Sequence, residues 1–283
     1  MDTRRRAVVK ALGASTALAL SGSALAQAYP AKPIRIVHGY DGGSNPDMVA
    51  RIVSPALTER LGQAIVIEAK PGAGGRIGTA YVAAQEPDGY TLMMLTAGDT
   101  VAAATDSKLP YDLLRDYAFV STVVEFPFML LVRAESPLRT LRDLIEAARA
   151  APGKLTFATP GVRTTQHLCG ELLKVGAGID LLHVPFKGNA FTDLIAGRLD
   201  LMLAAPSIST SQIKGGKVRA IAVTSRLRME TFPYLPLVAE TLPGFEVYSW
   251  LGLAAPAKTP AADRETFPCA GGWSPLSPAP CRL

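Results

Sequence analysis

One pattern constrains the fold of this chain more than any other, and it occurs twice. A short apolar run leads into a loop rich in glycine or threonine, and an amphipathic segment follows. The first copy is the strand Ile34–Val37, the loop Gly39–Asn45 and a helix over Pro46–Leu61. The second is the strand Leu155–Ala158, the loop Thr159–Thr164 and a helix over Thr165–Val175. In the first copy Ser44 or Asn45 can cap the helix, Pro46 suits its first position, and Asp47 falls in the first turn, where negative charge is favoured. Val49, Ile52, Val53 and Leu57 form its apolar stripe, and Pro55 is expected to kink it.

The remaining segments alternate in the same way. Strands are expected over Ala64–Glu68 and Thr91–Leu95, with a helix through Tyr81–Gln85 between them and a polar loop, Thr96–Thr100, after the second. Phe119–Arg133 holds two apolar runs split by Glu125 and Pro127, which reads as a crossing between two units. A capped helix, Thr140–Ala150, opens the second unit. Strands over Leu181–Val184, Leu199–Leu203 and Val218–Val223 follow, separated by short helices near Phe191–Ala196 and Ser207–Lys214. Such repeats make an α/β protein of two units, each a sheet flanked by helices. Ligands of open sheets sit at the carboxyl ends of strands, where both glycine/threonine loops lie.

Two domains fit a chain of 283 residues with 48% apolar content. Arg4-Arg5-Arg6 and Lys10 precede the apolar run Ala11–Leu20 and then Ala24-Leu25-Ala26, so Met1–Ala26 reads as a secretory signal cleaved near Ala26. The run is too short to span a membrane. Arg5-Arg6-Ala-Val-Val-Lys10 fits the twin-arginine pattern as well as an ordinary signal. The signal carries +3 of the net +5, which leaves about +2 and no basic surface for nucleic acid. Cys169, Cys269 and Cys281 have no metal-ligand spacing. Cys169 reads as a buried apolar residue, and Cys269 and Cys281 could pair in an oxidising compartment.

The chemistry open to these loops is anion binding. Each aims backbone N–H groups at one place, with hydroxyls from Ser44, Thr96, Thr159, Thr164 and Thr165 beside them. The competing reading is two ordinary strand–helix turns. Gly72-Ala-Gly-Gly-Arg-Ile-Gly78 misses the dinucleotide spacing because Ile77 stands at the third glycine's place, and neither a phosphate-loop run nor a G-x-S-x-G elbow occurs. His38, His167 and His183 lack metal-ligand spacing. His167 reads as a surface or capping residue and His183 as part of the core. No catalytic residue, metal or cofactor is expected.

An ordered series of motifs is similar to the Bug-type receptors of tripartite tricarboxylate transporters. It runs from Tyr29-Pro-Ala-Lys-Pro-Ile-Arg-Ile through Lys70-Pro-Gly-Ala-Gly-Gly-Arg-Ile-Gly, Pro87-Asp-Gly-Tyr-Thr-Leu and Lys108-Leu-Pro-Tyr-Asp. It continues with His183-Val-Pro-Phe-Lys-Gly, Arg219-Ala-Ile-Ala-Val-Thr-Ser and Leu242-Pro-Gly-Phe-Glu, and ends near Pro260. The resemblance implies a type II-like, two-lobed periplasmic binding protein. Lobe 1 would span 27–127, lobe 2 128–245, and 246–260 would return to lobe 1. Such a receptor, a monomer, would close on a small carboxylate and deliver it to membrane permease subunits. The resemblance places Tyr40, Asp41, Gly43, Ser44, Asp47, Thr96 and Asp99 on one side of the ligand, with Thr159, Gly161, Thr164, Thr165 and Asp193 on the other.

The chain departs from that family in two places. Gly39-Tyr40 stands where relatives have Pro-Phe or Pro-Tyr, and Asp41 puts an acid in a loop meant for an anion. An acid there would suit a ligand that also carries an ammonium or amide, so a carboxylate-bearing amino acid joins the di- and tricarboxylates as a candidate. From Ala261 to Leu283 periodicity gives way to four prolines and two cysteines, which is expected to be a disordered tail replacing the family's last helices. Two other readings stand beside the receptor: an α/β enzyme acting on a carboxylate, and a truncated remnant without function.

Overall fold

A computed structural model of the protein describes residues 29–186 and 190–267. Its strands form two five-stranded sheets. The first contains β1 (Ile34–His38), β2 (Ile65–Ala69), β3 (Thr91–Thr96), β4 (Tyr117–Pro127) and β10 (Tyr248–Pro256), in the order β2-β1-β3-β10-β4. The second contains β5 (Met129–Arg133), β6 (Thr156–Thr159), β7 (Leu182–Pro185), β8 (Leu201–Ala204) and β9 (Val218–Val223), in the order β7-β6-β8-β5-β9. Both sheets are mixed. In the first, β1 runs parallel to β2 and β3 while β10 is antiparallel to β3 and β4. In the second, β6 is parallel to β7 and β8 while β5 is antiparallel to β8 and β9.

Strand periodicity explains how each sheet is covered on both faces. Along β3, Leu92 and Met94 join one apolar cluster while Met93 and Leu95 join another. Along β5, Leu130 and Val132 turn one way and Met129 and Leu131 the other. One cluster contains residues of both sheets, with Phe126 and Phe128 edge to face between them, ring centres 5.8 Å apart. The chain crosses between sheets at Phe128, after β4, and again in the segment from Thr224 to Val247 that leads into β10.

The helices are α1 (Asn45–Leu61), α2 (Arg76–Ala83), α3 (Ala97–Thr105), α4 (Leu141–Ala150), α5 (Thr165–Ala177), α6 (Phe191–Ile195), α7 (Pro206–Lys214) and α8 (Ala261–Glu265). Helix α1 runs unbroken through Pro55. Its buried stripe is Val49, Val53 and Leu57; Ile52, expected there, is 65% exposed, because the i, i+4, i+8 line turns it toward solvent.

Three further expectations are corrected. Thr96–Thr100 is no loop: Thr96 is the N-cap of α3, and its N–H donates to Asp99 Oδ2 at 2.8 Å, so the acid at the third helical position starts the helix. His183 lies half-buried on β7 at the sheet edge rather than in the core. Residues 261–267, expected in a disordered tail, hold α8 and then Phe267, which is buried against the shared apolar cluster. Cys169 is buried as expected, and burial pushes its thiol up to about 12. The segment Met1–Ala26 and the pair Cys269 and Cys281 lie outside the described residues.

Candidate functional site

The loops at the carboxyl ends of β1, β2 and β6, together with the starts of α3 after β3 and of α7 after β8, converge between the two sheets. Their meeting depends on backbone contact. Gly39 packs so closely on the loop after β2 that a Cβ there would fall 2.2 Å from Gly75 O. Gly161 also faces Gly74, where a Cβ would sit at an ordinary 3.5 Å from Gly74 Cα, and its φ of +148° is what favours glycine there. Polar contacts join the same edges. Arg163 Nη1 donates to Asp106 Oδ2 at 2.9 Å, Arg76 Nη1 donates to Val162 O at 3.4 Å, and Ser207 Oγ donates to Asn45 Oδ1.

The first-lobe residues divide by what already holds them. Tyr40 donates its hydroxyl to Gly74 O at 3.1 Å and sits 3.4 Å from Thr96 Oγ1. Thr96 donates its own proton to Asp99 Oδ2 at 3.0 Å, and Thr79 donates to Asp99 Oδ1 at 2.7 Å. One oxygen of Asp99 therefore caps the start of α3 and the other ties it to α2. Burial raises its pKa, and the hydrogen bonds from Thr79 and Thr96 work against that rise. Asp47 is buried below the loop: its Oδ2 accepts from Gly43 N at 2.9 Å and Arg51 Nε at 3.0 Å, and His38 Nε2 lies 3.3 Å from its Oδ1. Burial would raise the Asp47 carboxyl, but the Arg51 and Gly43 hydrogen bonds and the Arg51 charge hold it below the usual carboxylate range. Asp41 is half-buried, and its carbonyl accepts from Ser44 N at 3.2 Å.

Ser44 stands apart. It occupies the N-cap of α1 with extended backbone, yet its side chain makes no capping bond, and Asn45 is turned to Ser207. The Ser44 hydroxyl is buried with no hydrogen-bond partner among the described residues. A buried hydroxyl without a partner is uncommon, since leaving one unsatisfied costs about 1–3 kcal/mol. It lies at a helix N-terminus, where the first N–H groups also lack helical partners.

On the opposite side Thr164 caps α5: its Oγ1 accepts from His167 N at 3.2 Å and donates to Gly161 O at 2.8 Å. Thr165 is buried at the first helical position. Thr159 Oγ1 accepts from Gly161 N at 3.2 Å and lies 2.7 Å from His183 Nε2. The His183 ring lies tilted at 51° against His167, ring centres 4.4 Å apart, and burial, helped by the neighbouring His167, lowers its pKa to about 4. Asp193 lies on α6 in an ion pair with Arg198, apart from the contacts that join the other residues. Sequence reasoning did not mark Asn45 as a contact, nor Arg76, Asp106, Arg163 and Ser207. Arg163 has a local signal, beside a helix cap in a ligand loop; Asp106 has none, because only the fold brings it to Arg163.

Two α/β lobes linked by two crossings among the described residues, with loops from both meeting at strand ends, define a bilobal solute-binding protein. The chain belongs to the tripartite tricarboxylate transporter family receptors, whose pattern matches residues 49–264. A Pseudomonas sp. (strain P51) protein from the tcbD–tcbE intergenic region is 37% identical over 260 residues, 90% of this chain and 77% of that one. Three solved structures share the fold, each with 84% of this chain covered. They are the periplasmic binding protein BugD (TM-score 0.80, 35% identity, 81% of its chain), Rhodopseudomonas palustris Rpa4515 with adipate (0.80, 32%, 81%) and MatC from the same organism with bound malate (0.79, 30%, 82%).

Proposed function

We propose that this protein is a periplasmic receptor that captures a small carboxylate between its lobes and hands it to a tripartite tricarboxylate-type permease. The observation that carries the reading is the partnerless buried hydroxyl of Ser44 at the N-terminus of α1. A ligand carboxylate supplies the acceptor that this hydroxyl lacks among the described residues. The malate and adipate carried by two family relatives are both dicarboxylates, which is the class we assign. Two carboxylates need two anion sites, one at the start of α1 and one at the start of α5, where Thr165 waits at the first turn.

The other polar residues of the loops act by shaping these two ends. Asp47 fixes Gly43, Asp99 fixes Thr96, and Thr159 and Thr164 fix Gly161. Their polar atoms are spent on the chain itself. Closure about the ligand moves one lobe against the other, with Phe128 and the segment before β10 as the crossings that bend. This reading places lobe 1 at 27–127 and 246–260 and lobe 2 at 128–245, in a monomer exported by the Met1–Ala26 signal. It returns its ligand unchanged.

Titration calorimetry of the purified protein against malate, adipate, citrate and aspartate tests the reading. Binding of at least one, weakened in Ser44→Ala and returned chemically intact, is the expected result. Absence of binding to all four, or unchanged affinity in Ser44→Ala, would overturn it. Asp41 bears on the choice within the panel: if it meets an ammonium, Asp41→Asn weakens aspartate and spares malate.

A further inference from the structure

The loop between β6 and α5 has an unusual residue at its centre. Arg163 takes φ +66°, a left-handed conformation that residues with a Cβ rarely adopt. Such backbone persists where the surroundings over-determine it. Here the surroundings belong to the other lobe. Asp106 follows α3, where its N–H closes the last turn on Ala102 O at 2.8 Å. Its Oδ1 accepts from Lys108 N at 3.1 Å, which leaves Oδ2 aimed at Arg163 Nη1, 2.9 Å away. On either side of Arg163 the neighbours are fixed too. Val162 O accepts from Arg76, and Thr164 caps α5.

We propose that Arg163 is a positioning residue for the second-lobe half of the site, set by Asp106 of the first lobe. When the lobes meet, the ion pair holds Arg163 in its left-handed conformation, and with it the turn that presents Gly161, Thr164 and the start of α5. When they part, Asp106 withdraws and the turn relaxes. The second anion site is thereby complete only in the closed protein, so the pair slows ligand escape without touching the ligand. This rests on the reading of Gly161–Thr165 as part of the binding site.

The test compares wild type with Asp106→Asn, Arg163→Gly and the reversed pair Asp106→Arg/Arg163→Asp. Malate and adipate dissociation is followed by stopped-flow fluorescence at low and high salt, and melting temperature without ligand serves as the structural control. Each single variant is expected to release ligand about three- to tenfold faster, with the melting temperature unmoved. The reversed pair restores slow release, and salt speeds wild type more than Asp106→Asn. Arg163→Gly tolerates the backbone angle, so its faster release isolates the ion pair from the strain. Release at wild-type rates in the single variants, or additive losses in the reversed pair, overturns the proposal. If wild type binds neither dicarboxylate, the underlying reading fails instead. Small-angle scattering of the unliganded proteins then decides: Asp106→Asn must be more extended than wild type, and equal dimensions overturn the proposal.

Discussion

Thr224 and Phe128 hydrogen-bond to each other twice, with Thr224 N donating to Phe128 O and Phe128 N donating to Thr224 Oγ1, both at 2.9 Å. The same Thr224 hydroxyl donates to Val247 O at 2.6 Å, and Val247 N returns a bond to Thr224 O at 3.0 Å. One buried side chain thus ties both crossings between the lobes.

Thr224→Val keeps the shape of this side chain and removes its hydroxyl. Phe128 N–H and Val247 C=O then lose a partner in a buried place, which should cost about 2–3 kcal/mol. Urea unfolding reads the loss directly. Thr224→Ser, which keeps the hydroxyl, should recover most of it. A Val variant as stable as wild type would show that the tie carries no weight.

Ser44→Ala should separate binding from folding. An ordinary serine N-cap contributes about 1 kcal/mol, but the Ser44 side chain makes no cap bond and its buried hydroxyl is unsatisfied, so its loss should leave the unliganded protein as stable as wild type or more so. Affinity for the bound carboxylate should fall about tenfold, the value of one hydrogen bond to a charged group. Parallel calorimetry and thermal melts report both quantities.

Gly39→Ala puts a methyl group against the carbonyl of Gly75, and backbone cannot turn aside as a side chain can. Destabilisation of about 1–3 kcal/mol or more is expected, with weaker ligand binding because the loop must shift. Gly42→Ala, where a Cβ meets open space, is the control and should leave both unchanged.

Acid should weaken the fold in a defined window. Burial lowers the His183 pKa from 6.5 to about 4, so the unfolded chain takes up the proton first as pH falls. The stability from keeping this ring neutral is complete above about pH 6.5 and is lost as pH drops through about 4. His38 and His167 are lowered by burial in the same direction. The Asp47 carboxyl, held below its usual range, adds a loss only at lower pH. Melting temperature against pH for wild type and His183→Gln should show a shallower fall in the variant between pH 6.5 and 4.

Much of the architecture is legible in the sequence because each strand declares itself by composition and each helix by its start. Leu92–Leu95 is apolar without a break and proves buried on both faces, while Thr140 with Asp143 marks the beginning of α4. The site is legible only in part. Glycines and threonines name the loops, yet they do not say which polar atoms the loop itself consumes. Asp47, Asp99 and Thr159, which the resemblance places at the ligand, each also bond to their own chain. Ser44 is left over, and that depends on Asp47 taking the Gly43 N–H and on Ser207 taking Asn45. Contacts of that kind span up to 162 residues of sequence, and no local pattern encodes them.

The placement of β10 between β3 and β4 sets an order of assembly. The second sheet draws on one continuous stretch, Met129 to Val223, and can close as soon as that stretch is made. The first sheet cannot. Among the described residues β4 has one neighbour in that sheet, β10, reached across more than a hundred residues, so that edge stays unpaired until Tyr248–Pro256 arrives. Distant pairings form slowly because the loop must be closed before the contact repays it. The half of the protein that holds Ser44 is therefore the last to become native, and a chain caught early would present β4 to any partner within reach.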